Sequence, residues 1–415
     1  MIFVFGLPIS IIVMMAVLVL IAIRQVGKFR LKIWQIMLVG AIIVLLLGEI
    51  SPQDALASIN IDVMIFLFGM FVIGEALLQS GYLAHLSYKM FRRAKNVDQL
   101  VLLILFVMGF FSAILMNDTL AIIATPLMIM FAKKHGISNK LLLLTLAIAV
   151  TTGSVMSPIG NPQNLLIALN GGIVNPFVTF FRYLLLPTII NLFLAFLLLR
   201  ILFRDEFHDN SLSHADETVA DPKLARLVKI SLFLLLAFIA VKIWFALFSI
   251  QNDLRLTYIA LIAVAPIVLF SKKRVQVVKK IDWATLVFFA AMFVLMQSVW
   301  SSMFFQERLQ GLDMLSIPVI LLLSVLLSQL VSNVPFVALY LPMMTFAGAA
   351  NVHLMALAAG STIAGNMFIL GAASNVIIIQ NAERYGATLT FLEFARVGIP
   401  LTLLSIFVYW TFLSI

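Results

Sequence analysis

Apolar runs of roughly 17 to 25 residues recur along the whole chain, each long enough to cross about 30 Å of hydrocarbon as a helix. Four of them are broken by short polar clusters that match in pairs. Asn117-Asp118-Thr119 precedes Ala124-Thr125-Pro126, and Ser332-Asn333-Val334-Pro335 precedes Leu341-Pro342-Met343. Setting Pro126 on Pro342 sets Asn117 on Asn333 and Ser112 on Ser328. Farther along, setting Asn164 on Asn375 also sets Gly160 on Gly371 and Met156 on Met367. One half of the chain repeats the other, and each half is interrupted twice.

The 415 residues are 63% hydrophobic and 11% charged, with a mean hydropathy of +1.14, too apolar for a soluble globule whose surface needs charge. No alternating pattern of barrel strands appears, so the expected fold is an all-α polytopic membrane protein. Cysteine is absent, which excludes disulfides and thiolate metal sites. The net charge of +9 sits in short loops between apolar runs, so it reads as membrane topology and no nucleic-acid partner is expected. The run from Ile2 to Ile23 lacks a basic leader and a small-residue cleavage site and reads as a retained transmembrane helix. Phosphate-loop and zinc signatures are absent, so no enzyme and no organic cofactor are expected. The five histidines, His85, His135, His208, His214 and His353, lie at loops and make poor metal ligands or relays.

The expected order is a scaffold of N-terminal helices at 1–60 and a first repeat at 61–203, with a hairpin at 99–132 and a broken helix at 141–170. An acidic linker at 204–226 and scaffold helices at 227–280 lead to a second repeat at 281–415, with a hairpin at 313–350 and a broken helix at 352–380. Loops rich in Lys and Arg stay in the cytoplasm. Arg24, Lys28, Arg30 and Lys32 set the first loop inside, together with Lys89 to Lys95, Lys133, Lys134, Lys140, Lys272 to Arg274, Lys279 and Lys280. Arg182, Lys242, Arg255 and Arg308 fall outside. Both termini are then outside, the linker is cytoplasmic, and the chain is placed in a plasma (inner) membrane. The second hairpin, between Asp313 and Asn351, enters from the side opposite to the first. Such inverted-topology repeats underlie alternating access in many secondary transporters.

Irregular backbone at mid-membrane is tolerated only where it is buried in protein or lines a watery cavity. The four breaks therefore supply the candidate site: Ser112, Asn117, Asp118 and Thr119; Gly160, Asn161, Pro162, Gln163 and Asn164; Ser328, Ser332, Asn333 and Pro335; and Gly371, Ala372, Ser374 and Asn375. Amide and hydroxyl oxygens with freed carbonyls suit Na⁺, for which Asn117, Asp118, Gly160, Asn333 and Asn375 are the candidate ligands. Helix N-termini beyond each break suit a small anionic substrate. Asp118, costing about 3 kcal/mol at the bilayer centre, reads as a cation ligand, a proton carrier or a helix cap. Glu75, in Gly74-Glu75-Ala76, reads equally as a proton relay and as an acid at a helix end.

At these segments the chain resembles the ion transporter superfamily, which groups divalent anion/sodium symporters, arsenite permeases and D-type sodium/proton antiporters. Asn117-Asp118 with Ala124-Thr125-Pro126 resembles the first hairpin of the arsenite permeases. Ser332-Asn333 sits where the symporters carry Ser-Asn-Thr, and Gly160-Asn161-Pro162-Gln163-Asn164 resembles their Gly-Thr-Pro-Pro-Asn break. The resemblance covers both halves and implies two pseudo-symmetric ion sites flanking the substrate, in a homodimer whose transport domain moves as an elevator. Asp118 adds a charge that disfavours a second anion unless a cation or proton neutralises it. The expected function is transport of a small anion or oxyanion coupled to Na⁺ or H⁺. The alternative is a Na⁺/H⁺ antiporter in which Asp118 exchanges the cations. A channel or non-transporting scaffold fits the paired breaks poorly.

Overall fold

The computed structural model describes residues 3–4, 7–23, 25–26, 29–30, 32–207, 219–248, 250, 254–304, 307 and 314–415. Arg24, Lys28, Arg308, Asp313 and the linker residues 208–218, with His208 and His214, lie outside the described residues. The described chain is almost wholly helical, with nineteen α-helices. Six of these, by length and composition alone, can cross a membrane. Two antiparallel strand pairs near the N-terminus, Phe3–Val4 with Leu7–Pro8 and Gln25–Val26 with Phe29–Arg30, are two residues long per strand.

The helices fall into two packed groups. The first contains α1 (Ile9–Ile23), α2 (Ile33–Leu46), α4 (Ile61–Ser80), α11 (Pro222–Leu247), α12 (Leu256–Phe270), α13 (Arg274–Lys280) and α14 (Trp283–Ser301), with short α3 (Pro52–Ser58) against α14. The second contains α6 (Val97–Leu115), α7 (Asn117–His135), α8 (Asn139–Ser154), α9 (Pro162–Asn170) and α10 (Pro176–Leu202). Their repeat mates α15 (Ile317–Val331), α16 (Asn333–Phe346), α17 (Asn351–Met367), α18 (Ala373–Glu383) and α19 (Phe391–Leu413) belong to the same group. Helix α5 (Tyr82–Phe91) connects α4 to α6.

The hairpins α6–α7 and α15–α16 turn on single residues. Met116 has φ 68° and its repeat mate Ser332 has φ 73°, at a backbone conformation that residues with a Cβ rarely adopt. One such residue reverses the helix direction without a loop, so both tips remain short enough to stay inside the protein. The same strained geometry at matched positions is a structural signature of the duplication. The broken helices are α8–α9 and α17–α18, the latter interrupted by a 3₁₀ turn at Ile369–Gly371. Ser374 and Asn375 therefore lie in the first turn of α18, just past the break.

Without an aqueous phase to drive helices together, membrane helices associate by close packing of small residues. Gly153 of α8 faces Gly109 of α6 so closely that a Cβ on Gly153 would fall 2.2 Å from the Gly109 Cα. Gly360 of α17 similarly abuts Ser324 of α15, and Gly398 of α19 abuts the carbonyl of Asn366. Outside, exposed Leu, Ile and Phe residues such as Leu186, Phe193, Phe233, Leu403 and Phe407 give the lipid-facing surface.

Ion pairs join helix ends that the charge pattern sets on one side. Arg200 pairs with Asp98 at 2.9 Å, Lys273 with Asp221 at 2.7 Å, and Lys140 with Glu393. On the opposite face, Arg255 lies 3.9 Å from Asp62, which also accepts a hydrogen bond from Thr257 at 2.7 Å. At the N-cap of α11, the Lys273 ammonium and the backbone N–H of Leu224 hold the Asp221 carboxyl below the usual carboxylate range.

Gly153→Ala should lower the detergent-phase thermal midpoint by the equivalent of about 1–3 kcal/mol, because backbone must move. Gly109→Ala should cost clearly less, since its added Cβ first meets the flexible Leu192 Cδ1 at 3.3 Å; equal losses would disprove this packing. A depressed carboxylate contributes stability that is complete above its ordinary value and is lost as pH falls through its lower folded value. Asp221→Asn should therefore flatten the decline of the thermal midpoint between about pH 5 and pH 3.

Candidate functional site

Each hairpin's second arm packs against the second half of the broken helix from the other repeat: α7 against α18, and α16 against α9. Helices α8 and α17 cross at the centre. This arrangement brings the breaks together, with the N-termini of α7, α9, α16 and α18 each beginning at one of them. Among the described residues, the buried polar side chains are all Ser, Thr, Asn and Gln, with no Lys, Arg, Asp or Glu.

In the first half, most of the polar groups at the breaks satisfy one another. Asn117 N–H donates to the Gly160 carbonyl at 2.9 Å, fixing the tip of α6–α7 to the break between α8 and α9. Ser112 Oγ donates to the Val150 carbonyl at 2.5 Å, which ties α6 to α8 and uses that hydroxyl in packing. Asn164 Nδ2 donates to the carbonyls of Ser154, Val155 and Ser157 at 3.0–3.2 Å, and its Oδ1 accepts from Thr362 Oγ1 at 3.3 Å. Asn161 caps α9 by accepting from Asn164 N–H at 2.8 Å. The Asn161 Nδ2 reaches Ser154 Oγ at 2.9 Å and Thr362 Oγ1 at 3.2 Å. Pro162 follows as the first residue of α9, where a missing N–H costs nothing, and Gln163 Nε2 approaches Thr362 Oγ1 at 3.5 Å.

The second half follows the same plan only in part. Asn375 Nδ2 donates to the Gly365 carbonyl at 2.6 Å, the repeat equivalent of the bond from Asn164 to Ser154. Gln329 Nε2 donates to the Ala364 carbonyl at 2.7 Å, and its Oε1 lies 2.8 Å from where a Cβ on Gly371 would project. The hairpin is thereby held against the break between α17 and α18. Asn161, however, is replaced by Ala372, and Ser154 by Gly365. Ser328 Oγ, Asn333 Oδ1, Ser374 Oγ and Asn375 Oδ1 have no hydrogen-bond partner within the protein, and neither has Thr151 Oγ1, the repeat mate of the bonded Thr362. All five residues are at most 9% exposed. Each unmatched polar atom costs about 1–3 kcal/mol, and neutral oxygens left in this state suit a cation that has shed its water.

Asp118 is partly exposed rather than sealed in this network, and it does not cap α7. Its own N–H donates to Asn117 Oδ1 at 3.0 Å, and the Asp282 carboxylate lies within electrostatic range. Thr119 packs into the space left by Gly74 on α4, where a Cβ would meet its Cγ2 at 2.7 Å. Glu75, next to that contact, accepts from Gln79 Nε2 at 2.7 Å and has Lys280 within electrostatic range. Pro335 lies in the first turn of α16, and Ser332 supplies the strained turn.

Sequence reasoning had no place for Thr151, Thr152, Ser154, Gln329, Thr362 and Asn366, of which Thr362, bonded to Asn161 and Asn164, and Asn366, bonded to Thr152, bridge the repeats. Asn366 Nδ2 donates to Thr152 Oγ1 at 2.9 Å. The signal was present in the register that sets Asn164 on Asn375, which also sets Thr151 on Thr362. Because Asn164 makes four buried hydrogen bonds and Asn375 one, Asn164→Ala should cost at least about 2 kcal/mol more than Asn375→Ala in sodium-free buffer. Equal thermal losses in the two variants would refute the asymmetry.

A family model described as a citrate transporter, CitMHS, matches residues 16–353. The 46 kDa membrane protein of Mycobacterium leprae is 27% identical, with 89% of this chain and 90% of that protein covered. The silicon efflux transporter LSI3 of Oryza sativa subsp. japonica is 26% identical, with 88% and 89% covered. Among solved structures, the YdaH transporter of Alcanivorax borkumensis superposes with a TM-score of 0.59 at 16% identity, covering 98% of this chain and 97% of that one. Hairpins that enter from opposite faces and broken helices that meet at the centre accompany this match, and the chain belongs to the CitMHS family of membrane transporters.

Proposed function

We propose that the protein is a secondary active transporter that moves a small anion or oxyanion coupled to Na⁺ or H⁺ by alternating access. The second helix group, carrying the four breaks, slides as an elevator against the first. The observation that carries this reading is the set of buried oxygens without partners near the breaks, Ser328 Oγ, Asn333 Oδ1, Ser374 Oγ and Asn375 Oδ1 in the second half and Thr151 Oγ1 in the first, beside the N-termini of four helices. Neutral oxygens favour a dehydrated monovalent cation, and backbone N–H groups at helix starts favour an anion where, among the described residues, no Lys or Arg is buried.

The two halves contribute unequally. In the first, the Asn161 amide supplies donors where a coupling cation would supply charge. In the second, Ala372 supplies none, so a single Na⁺ held by Asn333, Asn375 and Ser374 is the expected stoichiometry at these neutral sites. Asn117 and Gly160, bonded to each other through the backbone, position the first tip. Asp118, at the edge of the centre, carries a proton or a cation. A second reading, Na⁺/H⁺ exchange without an anion, draws on a partly buried Asp118 that has the Asp282 carboxylate within electrostatic range. The family name and the plant relative suggest citrate and silicic acid as the first substrates to test.

Purified protein in liposomes should take up or release labelled citrate or silicate in response to a Na⁺ or H⁺ gradient. Transport that persists unchanged when both gradients are collapsed would end this reading, and gradient-driven exchange with no substrate present would select the second. Asn375→Ala should raise the half-saturating Na⁺ concentration by about tenfold or more, in line with the loss of a metal contact. Ala372→Asn should abolish Na⁺-induced thermal stabilisation while preserving the fold; retained stabilisation would remove the single-site model. Asp118→Asn should abolish coupling, and an unaltered dependence on both ions would exclude that role.

A further inference from the structure

One well-formed cavity stands apart from the polar centre. It has a volume of about 590 Å³ and lies between the two helix groups, on the face that carries Asn60. One wall is the upper half of α14, with Phe293, Met296 and Trp300, and the opposite wall is α16, with Leu339, Pro342 and Phe346. None of the five unmatched oxygens lines it. Two contacts span the groups at its edges: Asn60 Nδ2 donates to Asn170 Oδ1 at 2.7 Å, and the rings of Trp300 and Phe346 meet edge to face at 6.2 Å.

The chemistry of the lining is specific in what it lacks. Among the described lining residues there is no charged side chain, so neither a carboxylate substrate nor a phosphate headgroup finds a counter-ion there. The floor and walls are apolar and aromatic, whereas the polar groups are neutral: Ser58, Asn60, Asn170, Gln297 and Thr345. A pocket of this size with an apolar body and a few neutral hydrogen-bonding groups suits a small molecule of matching design. Its walls belong to separately packed groups, so an occupant contacts both and favours the arrangement in which the cavity has this shape.

We infer that this cavity is a binding site for an uncharged amphiphile, a molecule with one apolar chain or ring system and one hydroxyl- or amide-sized polar end. The polar end meets the neutral groups beside Asn60 and Asn170, and the apolar part lies between Met296 and Leu339. Bound there, it holds α14 and α16 together and arrests their relative movement. The arrest rests on the carrier reading above; the binding does not.

The full-length protein in phosphatidylcholine vesicles is photolabelled with a diazirine-bearing decanol, and in parallel with a diazirine-bearing phosphatidylcholine. The expected result is decanol labelling concentrated on the peptides containing 293–300 and 338–346, competed by unlabelled 1-decanol and reduced at least fivefold by Ala338→Trp, which fills the cavity. Leu339→Trp gives a second test should Ala338→Trp fail to fold. Labelling spread over lipid-facing helices, insensitive to competitor and to both variants, would overturn the site, as would labelling of these peptides by the phospholipid alone. Since the chain has no cysteine, Asn60→Cys with Asn170→Cys reports the contact between the groups. Decanol should raise the yield of that disulfide at least twofold, and an unchanged yield would overturn the arrest while leaving the transport assay to judge the carrier reading separately.

Discussion

Hydrocarbon offers no partner to a peptide N–H or C=O, and that constraint governs the whole molecule. Four interruptions in membrane helices would be unaffordable if each had to satisfy itself. They persist because they meet at one place and bond to each other. Gly160 receives the N–H of Asn117, Asn164 collects three carbonyls from its own break, and Thr362 links Asn161 and Asn164 across the repeats. Even the turns follow this economy, since one residue of positive φ at Met116 and Ser332 spares each tip a loop.

Duplication produces two equal halves, and only divergence makes them differ. The difference here comes down to a few atoms: an amide at Asn161 against a methyl at Ala372, and a hydroxymethyl at Ser154 against hydrogen at Gly365. These substitutions leave most of the polar groups at the first half's break bonded and more of the second half's oxygens without partners. A carrier needs a centre that is stable when loaded and still able to unload. A half that provides its own donors supplies rigidity, and a half that does not supplies the demand for a ligand.

Much of this was legible in the chain. The lengths of the apolar runs gave the spans, and the Asn and Pro positions gave the repeat, because backbone breaks require residues that few other positions tolerate. Small polar residues inside apolar helices were less legible. Ser112 appears identical to a ligand in sequence but is consumed by the Val150 carbonyl, whereas Thr362 appears to be packing and is the bridge between halves. A hydroxyl on a helix can bond the preceding turn, a neighbouring helix or a ligand, and sequence alone does not choose among them. Asp118 likewise read in part as a cap, but it falls inside the first turn of α7, whose N-cap position is Met116, and no side chain makes a cap bond there. The cavity between α14 and α16 left no trace in the pattern, since its lining residues are those of any lipid-facing helix.

The crossed packing of α7 on α18 and of α16 on α9 also bears on how the protein is made. As the chain leaves the ribosome, the first hairpin emerges more than two hundred residues before the helix that will cover it. Until residues 373–383 have been inserted, its tip must wait, either held near the membrane surface or sheltered by insertion machinery. The first repeat is not a finished unit when its own synthesis ends, so the centre is completed only once the last segments of the polypeptide reach the bilayer.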